Sequence, residues 1–394
     1  MITITDKAKC CGCEACVNIC PQKCLEIKID DEGFGYPVVA NNKCINCKLC
    51  EKVCPMDKNK ENKNDLLLSY VGKTRNEDIL HSSTSGGIFT QIASAFISDG
   101  GIVYGAAYDD AFSVKHVRCT DNKKLFDLSG SKYVQSRLGD VYVQIRDDLK
   151  NNKKVLFCGT PCQINGLLGF IGNDENLENL ITIDIICRAV PSPLLWDKYV
   201  KYLDEKYDGQ IKKYRMRDKI NGYQFSHFVS YDKDGEVVYK GGTFVNQYLR
   251  AFFSGICNRP SCYCCKFKTV KRLSDLTIGD CFYSMLYGVS DKEGASVIII
   301  HTEKGEKIFN GSDLQKKAVD IDEVVKRSKE ITHSTGIDSR RSSFLNDLNN
   351  IPISEVLDKY YPMTLSIYYK YFLRVLLSKL GLHDFIKRLF IRLK

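Results

Sequence analysis

Residues 10–21 read Cys10-Cys11-Gly12-Cys13-Glu14-Ala15-Cys16-Val17-Asn18-Ile19-Cys20-Pro21, and residues 44–55 repeat the spacing as Cys44-Ile45-Asn46-Cys47-Lys48-Leu49-Cys50-Glu51-Lys52-Val53-Cys54-Pro55. Three thiols at two-residue intervals close around one cubane, and the cysteine before each proline reaches across to the other copy. The spacing therefore predicts one [4Fe–4S] cluster on Cys10, Cys13, Cys16 and Cys54, and a second on Cys20, Cys44, Cys47 and Cys50. Zinc sites pair their C-x2-C units across a longer gap, and disulfides impose no such triplet. Cys11 and Cys24 fall outside the pattern and read as packing residues or as neighbours that support the ligands.

Working outward, the chain has 394 residues and 44 % hydrophobic content, enough for two or three domains with a real core. Ten of its nineteen cysteines precede residue 55. Cluster thiolates need a reducing compartment, and Met1–Asp6 has neither a basic start nor an apolar run, so the expected compartment is cytoplasmic. No run of 18 apolar residues is present, which excludes a helical membrane span. The net charge of +9 is mostly interleaved with acids, and no nucleic-acid module is visible, so no nucleic-acid partner is expected. The local exception is Lys370–Lys394, with seven Lys/Arg against Asp384 alone.

The predicted domains follow from composition. Residues 1–56 form the two-cluster module, with Leu25–Asp30 alternating like a strand before an Asp31-Glu32-Gly33 turn. Residues 57–65 contain no apolar side chain and read as a polar linker, a joint about which the module docks. Residues 66–345 form a mixed α/β domain, divided into parts of about 66–150 and 151–345. Residues 346–394 form a basic amphipathic tail, which reads either as a helix lying on a membrane surface or as an ordinary terminal helix docked on the protein.

Three places in the large domain invite chemistry. Ser82-Ser83-Thr84-Ser85-Gly86-Gly87 opens an apolar helical pattern at Ile88, where free N–H groups could hold a phosphate or a Ser/Thr could simply cap. Two apolar strands end in cysteine-bearing loops, Val155–Cys158 before Gly159-Thr160-Pro161-Cys162 and Ile181–Ile186 before Cys187-Arg188-Ala189. Ligands of α/β sheets sit at such strand ends. Finally, Cys257-x4-Cys262-x2-Cys265 matches the first three positions of plant-type cluster spacing, with Cys162, Cys187 or Cys281 as the fourth ligand and Cys264 as a competitor for Cys265. Unligated thiols or a zinc site are the alternatives there.

Taken in order, Ser83–Thr90, Gly130-Ser131-Lys132-Tyr133-Val134-Gln135-Ser136, Gly159–Gln163, Val190-Pro191-Ser192-Pro193, Cys262–Lys268 and Ser274–Asp280 resemble the coenzyme F420 hydrogenase/dehydrogenase beta-subunit family over roughly residues 66–345, with the two-cluster ferredoxin module fused in front. The resemblance implies an iron–sulfur flavoprotein oxidoreductase that carries FAD. It would pass electrons between a two-electron hydride carrier, such as F420 or a nicotinamide cofactor, and one-electron [4Fe–4S] centres. Ser85, Gly86, Gly87, Gly159, Thr160 and Pro161 become flavin contacts, and Cys257, Cys262 and Cys265 a third cluster site. Two family segments differ here, as Cys187-Arg188-Ala189 stands for the usual Cys-His-Gly and Gly279-Asp280-Cys281-Phe282-Tyr283 for Gly-Asp-Phe-Trp-Gly. The alternatives are a non-catalytic electron-transfer adaptor for a partner reductase and a ferredoxin-dependent reductase of a lipid-linked substrate. No catalytic acid or base emerges, because the six histidines form no constellation.

Overall fold

The computed structural model describes residues 2–40, 43–57, 66–172, 175–290, 292–380 and 382. The linker expected over 57–65 lies outside these residues except for Asp57, and so does the tail from 383 onward.

The front module pairs β1 (Leu25–Ile29) antiparallel with β2 (Gly35–Val39) and sets one short helix in each cysteine repeat, Ala15–Asn18 and Leu49–Lys52. The repeats share a backbone as well as a spacing. Gly12 and Asn46 both adopt positive φ, and so do Glu14 and Lys48, two residues further on. A pseudo-twofold module results.

The large domain is built on an eight-stranded mixed sheet. Its strands are β3 (Leu68–Thr74), β4 (Ile102–Tyr108), β5 (Val114–Cys119), β6 (Val155–Gly159), β7 (Leu180–Ile185), β11 (Leu276–Asp280), β12 (Ser296–Ile300) and β13 (Leu314–Ala318), ordered β13-β3-β12-β11-β7-β6-β4-β5. β4, β6, β7 and β11 run parallel in the centre, and the flanking pairs are antiparallel. The apolar runs Val155–Phe157 and Ile298–Ile300 are fully buried, as strands covered on both faces require. A second, three-stranded antiparallel sheet holds β8 (Lys213–Asp218), β9 (His227–Tyr231) and β10 (Val237–Gly242), with the Asp232–Gly235 turn between the last two. The mixed α/β class with a small cluster module in front agrees with the sequence expectation.

The core does not stop at residue 345. Helices Arg341–Asn350 and Ile353–Tyr360 bury Phe344, Leu348, Val356 and Leu357 against Trp196, Tyr248 and Phe228. The expected boundary falls inside the first of these helices, because its amphipathic face finds its partner some 150 residues upstream.

The front module is fixed to the large domain by apolar and polar contacts together. Cys11, Cys13, Ala15, Val53 and Met56 share one core with Tyr142, Ile164, Leu167 and Phe170. Arg341 forks onto Glu32, Lys266 donates to the Met56 carbonyl, and Glu14 accepts from the Gly139 amide at 2.8 Å. Gly166 lets the Pro161–Ile171 helix approach Cys13 closely, since a Cβ there would stand 2.9 Å from its sulfur. The joint predicted from composition thus connects two bodies that are already packed together.

Candidate redox site

The parallel centre of the sheet decides where the site lies. Gly159 is paired with Asp184, and Ile185 with Ile278, so the helix that starts at Pro161 with Cys162 and the loop carrying Cys187 leave neighbouring carboxyl ends of the sheet. The loop 260–268 folds over them: Lys268 donates to the carbonyls of Cys187 and Glu330. Cys162, Cys187, Cys262 and Cys265 consequently stand within electrostatic reach of one another. Burial pushes the Cys187 thiol up to about 12 and raises Cys262 and Cys265 as well. Cys162 is raised first by a hydrogen bond with Cys11 and then by burial. Buried sulfurs of this kind are held neutral until a metal replaces the proton.

These four cysteines help line a cavity of about 310 Å³, a volume at the lower end for ligand sites. The same cavity is also lined by Ser83–Ser85, Gly87–Thr90, Lys132–Ser136 and Gly159–Pro161, with Thr160 Oγ1 3.1 Å from Cys162 Sγ. The helix Ile88–Ser98 has Gly87 as its N-cap in the left-handed region, with no side-chain cap, and its ladder begins only with Gln91 N to Gly87 O. The amides of Ile88, Phe89 and Thr90 therefore precede the ladder at the cavity wall. The capping alternative raised by the sequence does not apply to this helix. Gly86 lies behind the wall instead. Its amide donates to Ser296 Oγ, and a Cβ on it would fall 2.6 Å from the Gly72 carbonyl.

The electrostatics of the cavity are set by buried cations. Burial pulls Lys132 down to about 7 while it donates to the Ser129 carbonyl at 3.1 Å. Burial likewise brings Lys219 to about 7, and it holds the Ser85 carbonyl at 2.7 Å. Arg272, at the cavity wall, pairs with Asp184 at 3.0 Å, both almost fully buried. His116, stacked on Phe157, is lowered by burial to about 4 and is therefore neutral at pH 7.

The two N-terminal quartets each line a cavity of their own. Cys10, Cys13, Cys16 and Cys54 border one, and Cys20, Cys44, Cys47 and Cys50 border the other. Cys16, Cys20, Cys50 and Cys54 pack in one small core, so the two cavities abut. Cys11 lies between the first of them and Cys162, and Cys24 packs with its sulfur 3.4 Å from Cys20 Sγ. Among the described residues no three His, Cys, Asp or Glu side chains close on a point as one metal ion would need. A cubane spreads its four thiolates over the corners of a larger frame.

The structure seats other expected residues elsewhere. Cys257 is fully buried in the aromatic core with Trp196 and Tyr248, and it does not border the cavity that the four converging cysteines share. Spacing along the chain cannot show this, because Cys187 joins Cys262 and Cys265 only through the sheet. Cys281 is buried among Val71, Val297 and Ile299, and Cys264 is exposed. The sequence offered no independent signal for His116, Lys268 or Arg272 as wall residues.

A front pair of abutting four-cysteine cavities beside a third cysteine-lined cavity at the carboxyl ends of the parallel strands suits an iron–sulfur electron-transfer protein. Residues 9–58 match the model of the 4Fe-4S dicluster domain, and residues 152–326 match that of the C terminus of the coenzyme F420 hydrogenase/dehydrogenase beta subunit. Residues 152–326 are thus similar to the C-terminal region of that beta subunit, with a dicluster domain in front of them. Among solved structures, it is similar to a chain from "Xenon derivatization of the F420-reducing [NiFe] hydrogenase complex from Methanosarcina barkeri", at 19 % identity and a TM-score of 0.47, covering 73 % of this chain and 94 % of that one. No curated protein matches. No described helix is long and apolar enough to cross a membrane.

Proposed function

We propose that this chain is a flavin-dependent iron–sulfur oxidoreductase with three [4Fe–4S] clusters, the third held by Cys162, Cys187, Cys262 and Cys265. The observation that carries the reading is that one cavity is lined both by the uncapped first turn of the Ile88–Ser98 helix and by these four cysteines. The residues suit a flavin nucleotide. The amides of Ile88–Thr90 and Lys132, where protonated, would hold the anionic phosphate, Gly87 and Gly159 would leave room for close approach, and the Ile185–Val190 loop would border the rest of the nucleotide. When bound, a flavin takes a hydride from a carrier such as F420H2 or NAD(P)H and passes the two electrons singly to the cubanes, releasing protons to solvent.

The chain's own part is binding, orientation and exclusion of water. Lys219 and Lys132 hold the phosphate-side loops, Arg272 with Asp184 fixes the strand end below Cys187, and Lys268 pins the Cys187 loop. The test is an anaerobic preparation mixed rapidly with F420H2, NADH or NADPH. Bleaching of flavin and cluster absorbance by any one of them supports the enzyme. A flavin-free protein whose clusters none of the three reduces leaves the non-catalytic adaptor.

A second reading concerns place. The helix Leu365–Lys379 rests Tyr371 and Ser378 on the three-stranded sheet region, with Tyr371 bonded to His227 and Ser378 to the Asn221 carbonyl. Leu365, Tyr368, Tyr369, Phe372, Leu373, Leu376 and Leu380 remain exposed as one stripe beside Lys370 and Lys379. With the basic residues of the tail, this suits an anionic membrane surface. Truncation before Ser366 is expected to abolish binding to anionic phospholipid vesicles, and unchanged binding rejects the reading.

A further inference from the structure

Among the described residues, the pseudo-twofold front module packs one of its two equivalent faces against the large domain. In the first repeat, Cys11 is buried against Cys162, Glu14 accepts from Gly139 N, and Asn18 donates to the Gly139 carbonyl at 2.7 Å. The same positions in the second repeat are Ile45, Lys48 and Lys52. The backbone there is the same, with Asn46 and Lys48 in the left-handed region like Gly12 and Glu14. The surroundings are not. Ile45 is 62 % exposed, and Cys47, Lys43, Lys48 and Lys52 are exposed as well.

We propose that this second face, formed by Lys43, Ile45, Lys48 and Lys52 over the Cys20–Cys44–Cys47–Cys50 cavity, docks a small acidic one-electron carrier protein. The proposal rests on the cluster reading above and names the partner of its outer end. Two features select the occupant. An exposed aliphatic residue beside an exposed cysteine is the part of the module nearest solvent, where an electron can leave or enter. Three lysines stand against one acid, Glu51, among residues 43–54, so the face is complementary to a negatively charged carrier. One electron crosses per encounter, so a two-electron turnover needs two encounters, each oxidising or reducing one carrier by a single equivalent.

The equivalence of the two faces supplies the physical reason. The first repeat presents its face to the large domain through an acid, Glu14, and the second presents a lysine at the same place. The acid-bearing face has its partner within the chain, and the lysine-bearing face is exposed.

The test uses the intact, cluster-loaded protein and a net-acidic [4Fe–4S] ferredoxin reduced by dithionite, mixed in a stopped-flow instrument at several ionic strengths. Lys43→Glu combined with Lys52→Glu is expected to lower the second-order rate constant about tenfold or more at low salt and to flatten its salt dependence. Cationic methyl viologen radical should reduce the same variant at least as fast as the parent. Iron content and cluster absorbance should match the parent, which excludes misfolding. A ferredoxin rate unaffected by the reversal overturns the proposal, and so does an equal loss with viologen. Because neither reductant needs flavin or hydride, failure of the flavin reading would leave this result legible.

Discussion

The guanidinium of Arg259, fully buried, places Nη2 3.4 Å from Cys10 Sγ while its Nε donates to the Cys10 carbonyl at 2.8 Å. The same side chain reaches Gln135 at 2.9 Å and the Gly35 carbonyl at 3.0 Å, and it lies over the Tyr36 ring at 4.4 Å. A residue of the loop between Cys257 and Cys262 thus holds the cluster module from the large-domain side. A cation and hydrogen bonds at a cluster sulfur stabilise the reduced, more negative state. Arg259→Gln is expected to make the midpoint potential of that cluster more negative, read by an EPR-monitored redox titration. Arg259→Lys, which keeps the charge, should recover part of the shift. Equal potentials in all three proteins would remove the tuning role.

Iron content separates the cysteines that converge from those that do not. Cys187→Ser is expected to lose about four of roughly twelve iron atoms per chain, one cubane of three. Cys257→Ser is expected to retain all of them, since Cys257 sits in the aromatic core. Colorimetric iron and sulfide analysis of anaerobic samples decides. A loss in the Cys257 variant alone would return the ligand set to the one that chain spacing suggests.

Gly86→Ala tests the close approach behind the cavity wall. The added methyl would lie 2.6 Å from the Gly72 carbonyl and 2.8 Å from Ser296 N, both backbone atoms of neighbouring strands. Overpacking of this kind costs about 1–3 kcal/mol. Gly311→Ala, whose added methyl meets nothing nearer than 3.4 Å, should be close to neutral. Chemical unfolding midpoints measure both, and flavin retention in the Gly86 variant shows whether the wall has moved.

Two buried histidines make the fold sensitive to acid. Burial lowers His116 to about 4, and burial with Arg272 nearby lowers His301 to about 3. In the unfolded chain both titrate near 6.5. Below that pH the unfolded state binds protons that the folded state refuses, so stability is intact above about 6.5 and falls as pH drops towards the folded values. For His116 alone the loss reaches about 3 kcal/mol at most. His301→Gln keeps an acceptor for Thr277, which bonds His301 at 2.8 Å. That variant is expected to show a smaller drop in urea midpoint between pH 7.5 and 5 than the parent. An equal drop would place the acid sensitivity elsewhere, since acid lability of the clusters is common to both.

The sequence by itself determined the front of this protein. The spacing of Cys10 to Pro55 specifies which sulfurs line which cavity, because ligands two residues apart converge through local backbone geometry alone. It also made legible the strands Val155–Gly159 and Leu180–Ile185 and the segments at their ends, since short apolar runs bounded by polar or turn residues read as buried strands. Only the tertiary structure decided the rest. Cys162, Cys187, Cys262 and Cys265 come from four points more than 100 residues apart end to end, and the parallel register of β6, β7 and β11 brings them to one edge. Cys257 has the better spacing and is drawn into the aromatic core, where burying its small apolar side chain is favourable. Gly86 reads like its neighbours and serves the sheet instead of the cavity. The repeat from Cys10 to Cys54 looks symmetric along the chain. Which of its faces is covered was decided by packing, through Cys11 and Glu14 on one side and exposed Ile45 and Lys48 on the other.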